Sequence, residues 1–205
     1  MTINTDDILN SILESLSRID YIHAADIPNI DLYMDQVTTF MDTQLSSTRR
    51  YDEDKILTKT MINNYAKNNL LPPPVKKKYS KEHVLVMIFI YYFKNILSIK
   101  DIETLLSPIT DKYFKDDNGM DMTFIYNEVL ELEKSRISVV TKDIARSLKD
   151  AGECFADAPK EDRDYLQLFA FICSLSFDIY VKKLLMQKLI DECNTNEDSK
   201  DKKKK

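Results

Sequence analysis

Two glycines, Gly119 and Gly152, are all that this chain of 205 residues contains. Glycine reaches left-handed backbone without steric cost, so tight hairpins and phosphate-cradling loops are usually built around it. A dinucleotide-binding fingerprint or a P-loop needs several glycines within one segment, and no segment here has them. The scarcity argues against nucleotide-binding α/β folds and for helices. The expected class is all-α, in one large domain or two small ones.

The other bulk properties are those of a folded protein, with 43% hydrophobic and 31% charged residues. The N-terminus is acidic and polar, which is not a secretory leader. The most apolar runs, Val84–Phe93 and Leu166–Phe177, fall short of the ~20 residues of a membrane span. A cytoplasmic protein with no membrane contact is expected. Cys154, Cys173 and Cys193 form no CxxC pair and are spaced too widely for a zinc knuckle. They are expected to be buried thiols in a reducing compartment.

The net charge of −5 disfavours nucleic acid, but its distribution does not. Residues 1–48 hold one Arg and eight acids, a net of −7. Residues 49–100 hold eleven Lys/Arg against four acids, a net of +7. Residues 101–205 return to −5, with seventeen Lys/Arg against twenty-two acids. Within the basic block, Thr58–Lys81 carries six lysines and no acid. Screening over about 8–10 Å lets such a patch act locally on phosphates inside an acidic protein.

Periodicity predicts the elements. Ile8, Leu9, Ile12, Leu13 and Leu16 make a helical stripe over Asp7–Arg18, with Asp6 and Asp7 at its favourable end. Pro28 breaks the chain, and Leu32, Val37, Phe40, Met41 and Leu45 predict a helix over Asp31–Leu45. Ser46–Asp54 reads as a loop. Thr58 can cap a helix to Asn68 whose inner face is Met61, Ile62, Tyr65 and Ala66, with Asn69 as its left-handed stop. Pro72–Pro74 force an extended segment. Ser80 caps a helix containing Val84–Phe93, apolar all round and so central to its domain. A buried strand is the competing assignment for so short a run. Ser98 caps a helix carrying Ile99, Ile102, Leu105 and Leu106, and Pro108 is expected to end it. After a linker at 116–119, longer helices are predicted over Phe124–Leu148 and Asp164–Cys193. The second is too apolar to bury itself alone. From Asn194 the charged end is expected to be disordered.

In this order, Tyr65, Leu70–Leu71–Pro72–Pro73, Tyr79–Ser80 and Ser98–Ile99–Ile102–Leu105–Leu106 resemble the DNA-reading head of MerR-type regulators over about 49 residues. The blocks Asp31–Gln36 and Thr58–Tyr65 make the chain similar, over roughly 25–120, to a bacterial family catalogued as domain of unknown function 1836. The resemblance implies a MerR-like winged helix–turn–helix followed by a C-terminal helical region. The MerR head carries an Arg–Tyr pair where this chain has Asn63 and Asn64, and a turn glycine where it has Asn69. Its wing is longer and has a glycine at the tip, and its spacer ahead of the recognition helix is shorter than Gln36–Thr58.

The candidate DNA-binding residues follow. Lys59, Thr60, Asn63, Asn64 and Lys67 occupy the outer face of the 58–68 helix. Asn can pair bidentately with adenine, and Lys can reach phosphate or guanine. Lys76, Lys77, Lys78 and Lys81 would clamp phosphates from the wing, with Arg49 and Arg50 as lesser candidates. Asp31 and Asp35, four apart, could share a cation but fit capping and a solvated face better. His23 and His83 have no ligand spacing, and His83 is expected at the surface or in packing. No catalytic constellation, metal site or cofactor motif stands out, so an enzyme is not expected. The expected organisation is an N-terminal helix (1–24), a helix–turn–helix domain (25–110), a dimerising helical region (120–193) and a tail (194–205). The expected partners are double-stranded DNA and a second copy of the chain. The alternative is a degenerate helix–turn–helix that binds protein rather than DNA.

Overall fold

The computed structural model describes residues 22–115 and 119–201, with Asp7, Asn10, Ser11, Glu14 and Ser15 ahead of them, and side chains as far as Cys193. The expected N-terminal helix, apart from those five helical positions, lies outside the described residues, as do 116–118 of the expected linker and the last four lysines. The elements in order are β1 (Leu32–Tyr33), α1 (Met34–Gln44), α2 (Lys59–Lys67), β2 (Lys78–Tyr79), α3 (Lys81–Phe93), α4 (Ile99–Tyr113), α5 (Met122–Gly152) and α6 (Lys160–Asp201). The helical class expected from the sequence is what the chain adopts, with one small sheet. None of the described helices is long and apolar enough to cross a membrane.

The chain divides into two compact units, Asp20–Leu130 with Leu185–Lys205 and Glu131–Leu184 with Met1–Ile19. In the first, α3 is the central element. Val84, Leu85, Val86, Met87, Ile88 and Ile90 are wholly buried, which settles the helix-or-strand choice in favour of helix. Each such side chain contributes about 1.5–3 kcal/mol on burial. Val37 and Met41 of α1, Ile62 and Tyr65 of α2 and Ile102 and Leu106 of α4 pack into the same core. The α4 start is the reciprocal cap that Ser98 suggested: Asp101 N–H donates to Ser98 Oγ and Ser98 N–H donates to Asp101 Oδ2, both at 3.1 Å. Tyr126 of α5 donates its hydroxyl to the Ile22 carbonyl at 2.6 Å, fixing the entry to this unit.

Four expectations need correction. The helix predicted from Asp31 starts at Met34, because Leu32 and Tyr33 pair antiparallel with Tyr79 and Lys78 and so take extended backbone. Pro108 does not end α4, which continues to Tyr113. A proline inside a helix costs about 3 kcal/mol. Beyond it, Thr110 and Phe114 are buried, and Thr110 Oγ1 donates to the Leu106 and Ser107 carbonyls at 3.2 and 3.1 Å. Packing of that last turn offsets the lost backbone bond. Cys154, Cys173 and Cys193 are all exposed rather than buried. A tight hairpin is present without glycine, as described below.

In the second unit, Leu148 and Ala151 of α5 and Phe171 of α6 form a small core with Ile144, Ala170 and Leu175. Gln167 Nε2 donates to the Gly152 and Cys154 carbonyls at 2.6 and 3.0 Å, satisfying the end of α5. One face of α6 is thus used, while large apolar residues elsewhere on it remain exposed. The α6 backbone is helical through Asn194 to Asp201, the stretch expected to begin a disordered tail.

Candidate nucleic-acid interface

The helix α2 forms where a local start and stop demand it. Thr58 Oγ1 accepts from Met61 N–H at 3.2 Å, a side-chain cap on the first turn. At the other end Asn69 sits at φ 55°, as its sequence position suggested. Leu70 N–H donates to the Tyr65 carbonyl at 2.9 Å and Asn69 N–H to the Ala66 carbonyl at 3.4 Å. That paired pattern is a Schellman stop, and it drives Leu70 into the core. With Ile62 and Tyr65 buried, the steps 59, 60, 63, 64 and 67 fall on the opposite side. Lys59, Thr60, Asn63, Asn64 and Lys67 are all exposed. The five α2 candidates therefore do share one outward face.

The three prolines run extended into a two-residue hairpin. Val75 and Lys78 exchange both backbone hydrogen bonds, at 3.1 and 2.9 Å. Between them Lys76 has φ 49° and Lys77 φ 64°. Left-handed backbone at both central positions is the type I′ geometry, which favours Asn–Gly because an L side chain there costs roughly 1–2 kcal/mol. Here two lysines occupy it, both exposed. Lys78 is half-buried in β2 and Lys81 half-buried at the first position of α3. Among the described residues, Lys67, Lys76, Lys77, Lys78 and Lys81 form no ion pair.

Lys59 differs: it forms an exposed ion pair with Asp35 in the first turn of α1. Such a pair contributes little to stability, about 0–1 kcal/mol, but it neutralises the cation locally. Two residues earlier, the Tyr33 ring lies under Lys78, with Nζ 5.1 Å from the ring centroid. Lys59 and Lys78 thus each touch a residue of one short stretch, which places their ammonium groups within about 25 Å of one another. That is less than one turn of duplex DNA, ~34 Å. Tyr33 and Asp35 gave no sequence signal for this role, because their contacts are to residues distant along the chain. Arg49 is taken by Asp42 at 2.5 Å, which holds its guanidinium above its ordinary pKa, while Arg50 is exposed and lies against Tyr51 at 5.1 Å. Asp31 precedes β1 rather than sharing a helix with Asp35, and no metal-binding cluster exists among the described residues.

His83 proves to be buried rather than at the surface. Its Nδ1 accepts from Ser80 N–H at 3.0 Å, and its ring meets Tyr79 and Phe114 edge-on at 5.5 and 4.7 Å. Burial pushes its pKa down, opposed by the Pro73 and Pro72 carbonyls and by the Glu82 and Asp31 charges. The Pro72 and Pro73 oxygens lie near enough to affect it, yet Nε2 makes no hydrogen bond of acceptable geometry. The ring ties the hairpin base to the core.

Residues 22–129 match the family described as Domain of unknown function (DUF1836). No curated protein and no solved structure matches the chain.

Proposed function

The chain belongs to the DUF1836 family, and we propose that it is a DNA-binding transcription regulator with a MerR-like winged helix–turn–helix. The helix α2 would enter the major groove, with Asn63 and Asn64 offering amide pairs to base edges and Lys59, Thr60 and Lys67 flanking them. The hairpin would be the wing, with Lys76, Lys77, Lys78 and Lys81 on phosphates. One observation carries this reading: the acid-free stretch 58–81 folds into a helix with a polar outer face followed by a hairpin holding two exposed lysines in left-handed backbone. Strained residues persist where function selects the side chain.

Helix–turn–helix proteins commonly read two half-sites as dimers, and α6 suits that need. Phe169, Ile172, Phe177, Ile179, Tyr180 and Leu184 are 41–64% exposed. At such exposure an aromatic or large aliphatic side chain leaves on the order of 100 Å² uncovered. With Tyr165 and Val181 these exposed apolar residues spread over about half of the helix circumference, so a partner would cover part of them. A second copy of the chain is the proposed cover.

The test is fluorescence anisotropy on duplexes taken from the DNA flanking the protein's own gene, across a salt series. Affinity should fall steeply with salt, and Lys76–Lys78→Ala should weaken binding and flatten the slope by about 0.9 per lost phosphate contact. Absence of binding at low salt, or indifference to the triple substitution, refutes the proposal. A second reading draws on the Lys59–Asp35 pair and on Asn63 and Asn64 standing where the MerR head has Arg–Tyr. In it the head is an interaction module for protein. Co-purification of a protein partner with no nucleic acid carried along would favour that reading.

A further inference from the structure

The stretch 58–81 contains no acid, so a carboxylate at the candidate face has to come from elsewhere in the chain. Among the described residues, Asp35 is the acid that forms an ion pair with that face, through Oδ1 to Lys59 Nζ. The local fold places it there. Leu32 and Tyr33 pair with β2, so α1 begins at Met34 and Asp35 falls in its first turn, where the helix dipole favours an anion. The ion pair sets that turn beside Lys59, the first residue of α2. Both partners stay open to solvent, with side-chain exposures of 60% for Lys59 and 74% for Asp35. One contact between them leaves a second carboxylate oxygen and two ammonium protons available.

An acid at a phosphate-binding face costs affinity, because duplex DNA carries one negative charge per ~1.7 Å of its axis. In the major groove, however, a carboxylate has a standard role as acceptor from cytosine N4–H2, and a lysine as donor to guanine N7 and O6. Those are the two halves of a single base pair. The N-terminal residues of a recognition helix are the ones that reach base edges, and Lys59 opens α2. We propose that Lys59 and Asp35 together read one G·C pair, Lys59 Nζ donating to guanine and Asp35 accepting from cytosine, which makes Asp35 a specificity-determining residue. The role rests on the DNA-binding reading above. A G·C pair offers acceptor, acceptor and donor in a row, whereas an A·T pair sets a donor between two acceptors. An ammonium beside a carboxylate therefore finds two adjacent acceptors on G·C and one on A·T. Because the ion pair exists in the free protein, both groups arrive oriented, which reduces the side-chain freedom lost on binding. Asn63 and Asn64, one turn further along α2, remain for adenine. The contact that weakens Lys59 as a phosphate ligand thus equips it to read sequence.

The experiment is selection by the full-length protein from a library of duplexes with a randomised core, followed by sequencing of the bound fraction. The native chain should enrich a motif with a G·C position preferred about tenfold over A·T. Asp35→Ala and Lys59→Ala should each lose the preference at that position and keep it at the others. Both side chains are exposed, and circular dichroism at 222 nm checks each variant, so one folded variant is enough. A native motif without a G·C position, or a folded variant that keeps the whole native motif, overturns the proposal. If Asp35→Ala keeps the motif and binds every duplex more tightly, Asp35 is a brake on phosphate binding and the proposal fails. Absence of binding by the native chain at low salt refutes the DNA-binding reading itself. An enriched motif indifferent to both substitutions leaves that reading standing and removes only the role of Asp35.

Discussion

Replacing Lys76 with Asn and Lys77 with Gly should make the protein more stable and a poorer DNA binder at once. The two lysines hold φ of 49° and 64°. At roughly 1–2 kcal/mol for each L residue in this region, the turn stores about 2–4 kcal/mol. Asn tolerates the conformation better, and Gly removes the penalty altogether. Gly also loosens the unfolded chain, which returns about 0.5–1 kcal/mol. A net gain of about 1–2 kcal/mol remains, equivalent to a rise of about 2–8 °C in the midpoint of thermal unfolding for a chain of this size. Neither side chain packs against the core, so no buried contact is lost. Circular dichroism at 222 nm measures the first half. The second half is the salt dependence of anisotropy on duplex DNA, whose slope should fall by about two as two phosphate contacts disappear. A lower midpoint would show that the turn is not strained as its dihedrals imply. A higher midpoint with an unchanged salt slope would show that the lysines do not face phosphate.

Three further outcomes follow. Burial holds His83 below its ordinary pKa, so the folded state disfavours the protonated ring. Its contribution to stability is complete above about pH 6.5 and is lost as pH falls towards the depressed value. Urea midpoints between pH 7.5 and 5 should decline for the native chain and decline less for His83→Gln, and parallel curves would refute the assignment. Thr58→Ala removes the α2 cap and should cost about 1 kcal/mol in urea unfolding. The double substitution Phe177→Glu/Tyr180→Glu alters two exposed side chains and should turn a dimer into a monomer by light scattering. A monomeric native chain would refute the interface.

What the sequence revealed was local. The starts at Thr58, Ser80 and Ser98, the stop at Asn69 and the all-round burial of α3 follow from neighbours within one or two turns. What it concealed was distant or energetic. The strand Leu32–Tyr33 is too short to show a period of two, and its partners, Tyr79 and Lys78, lie 47 and 45 residues away. Pro108 carries a stop signal that tertiary burial of Thr110 and Phe114 overrides. Cys173 and Cys193 are exposed because α6 is apolar on several sides, and composition does not say which side its partner covers, whereas Cys154 lies in the turn after α5. The same division holds in the candidate interface. The lysines are visible as an acid-free run, but their neighbours are not. Asp35 holds Lys59 and Tyr33 carries Lys78 only because α1 docks beside both.

The scarcity of glycine measures where left-handed backbone is inexpensive, not where it occurs. Four described residues other than glycine take positive φ: Asn69, Lys76, Lys77 and Phe155. Asn69 is the residue type that tolerates it best, and it delivers Leu70 to the core. Phe155 turns the chain between α5 and α6, where its carbonyl accepts from Ala158 N–H at 3.0 Å. The hairpin lysines have neither justification. They are exposed, they pack against nothing, and Asn–Gly would form the same turn at lower cost. A sequence that keeps two cations at such positions is favouring charge over stability there. In a protein whose net charge is −5, two exposed cations held at that cost fit the proposal that the hairpin meets phosphate.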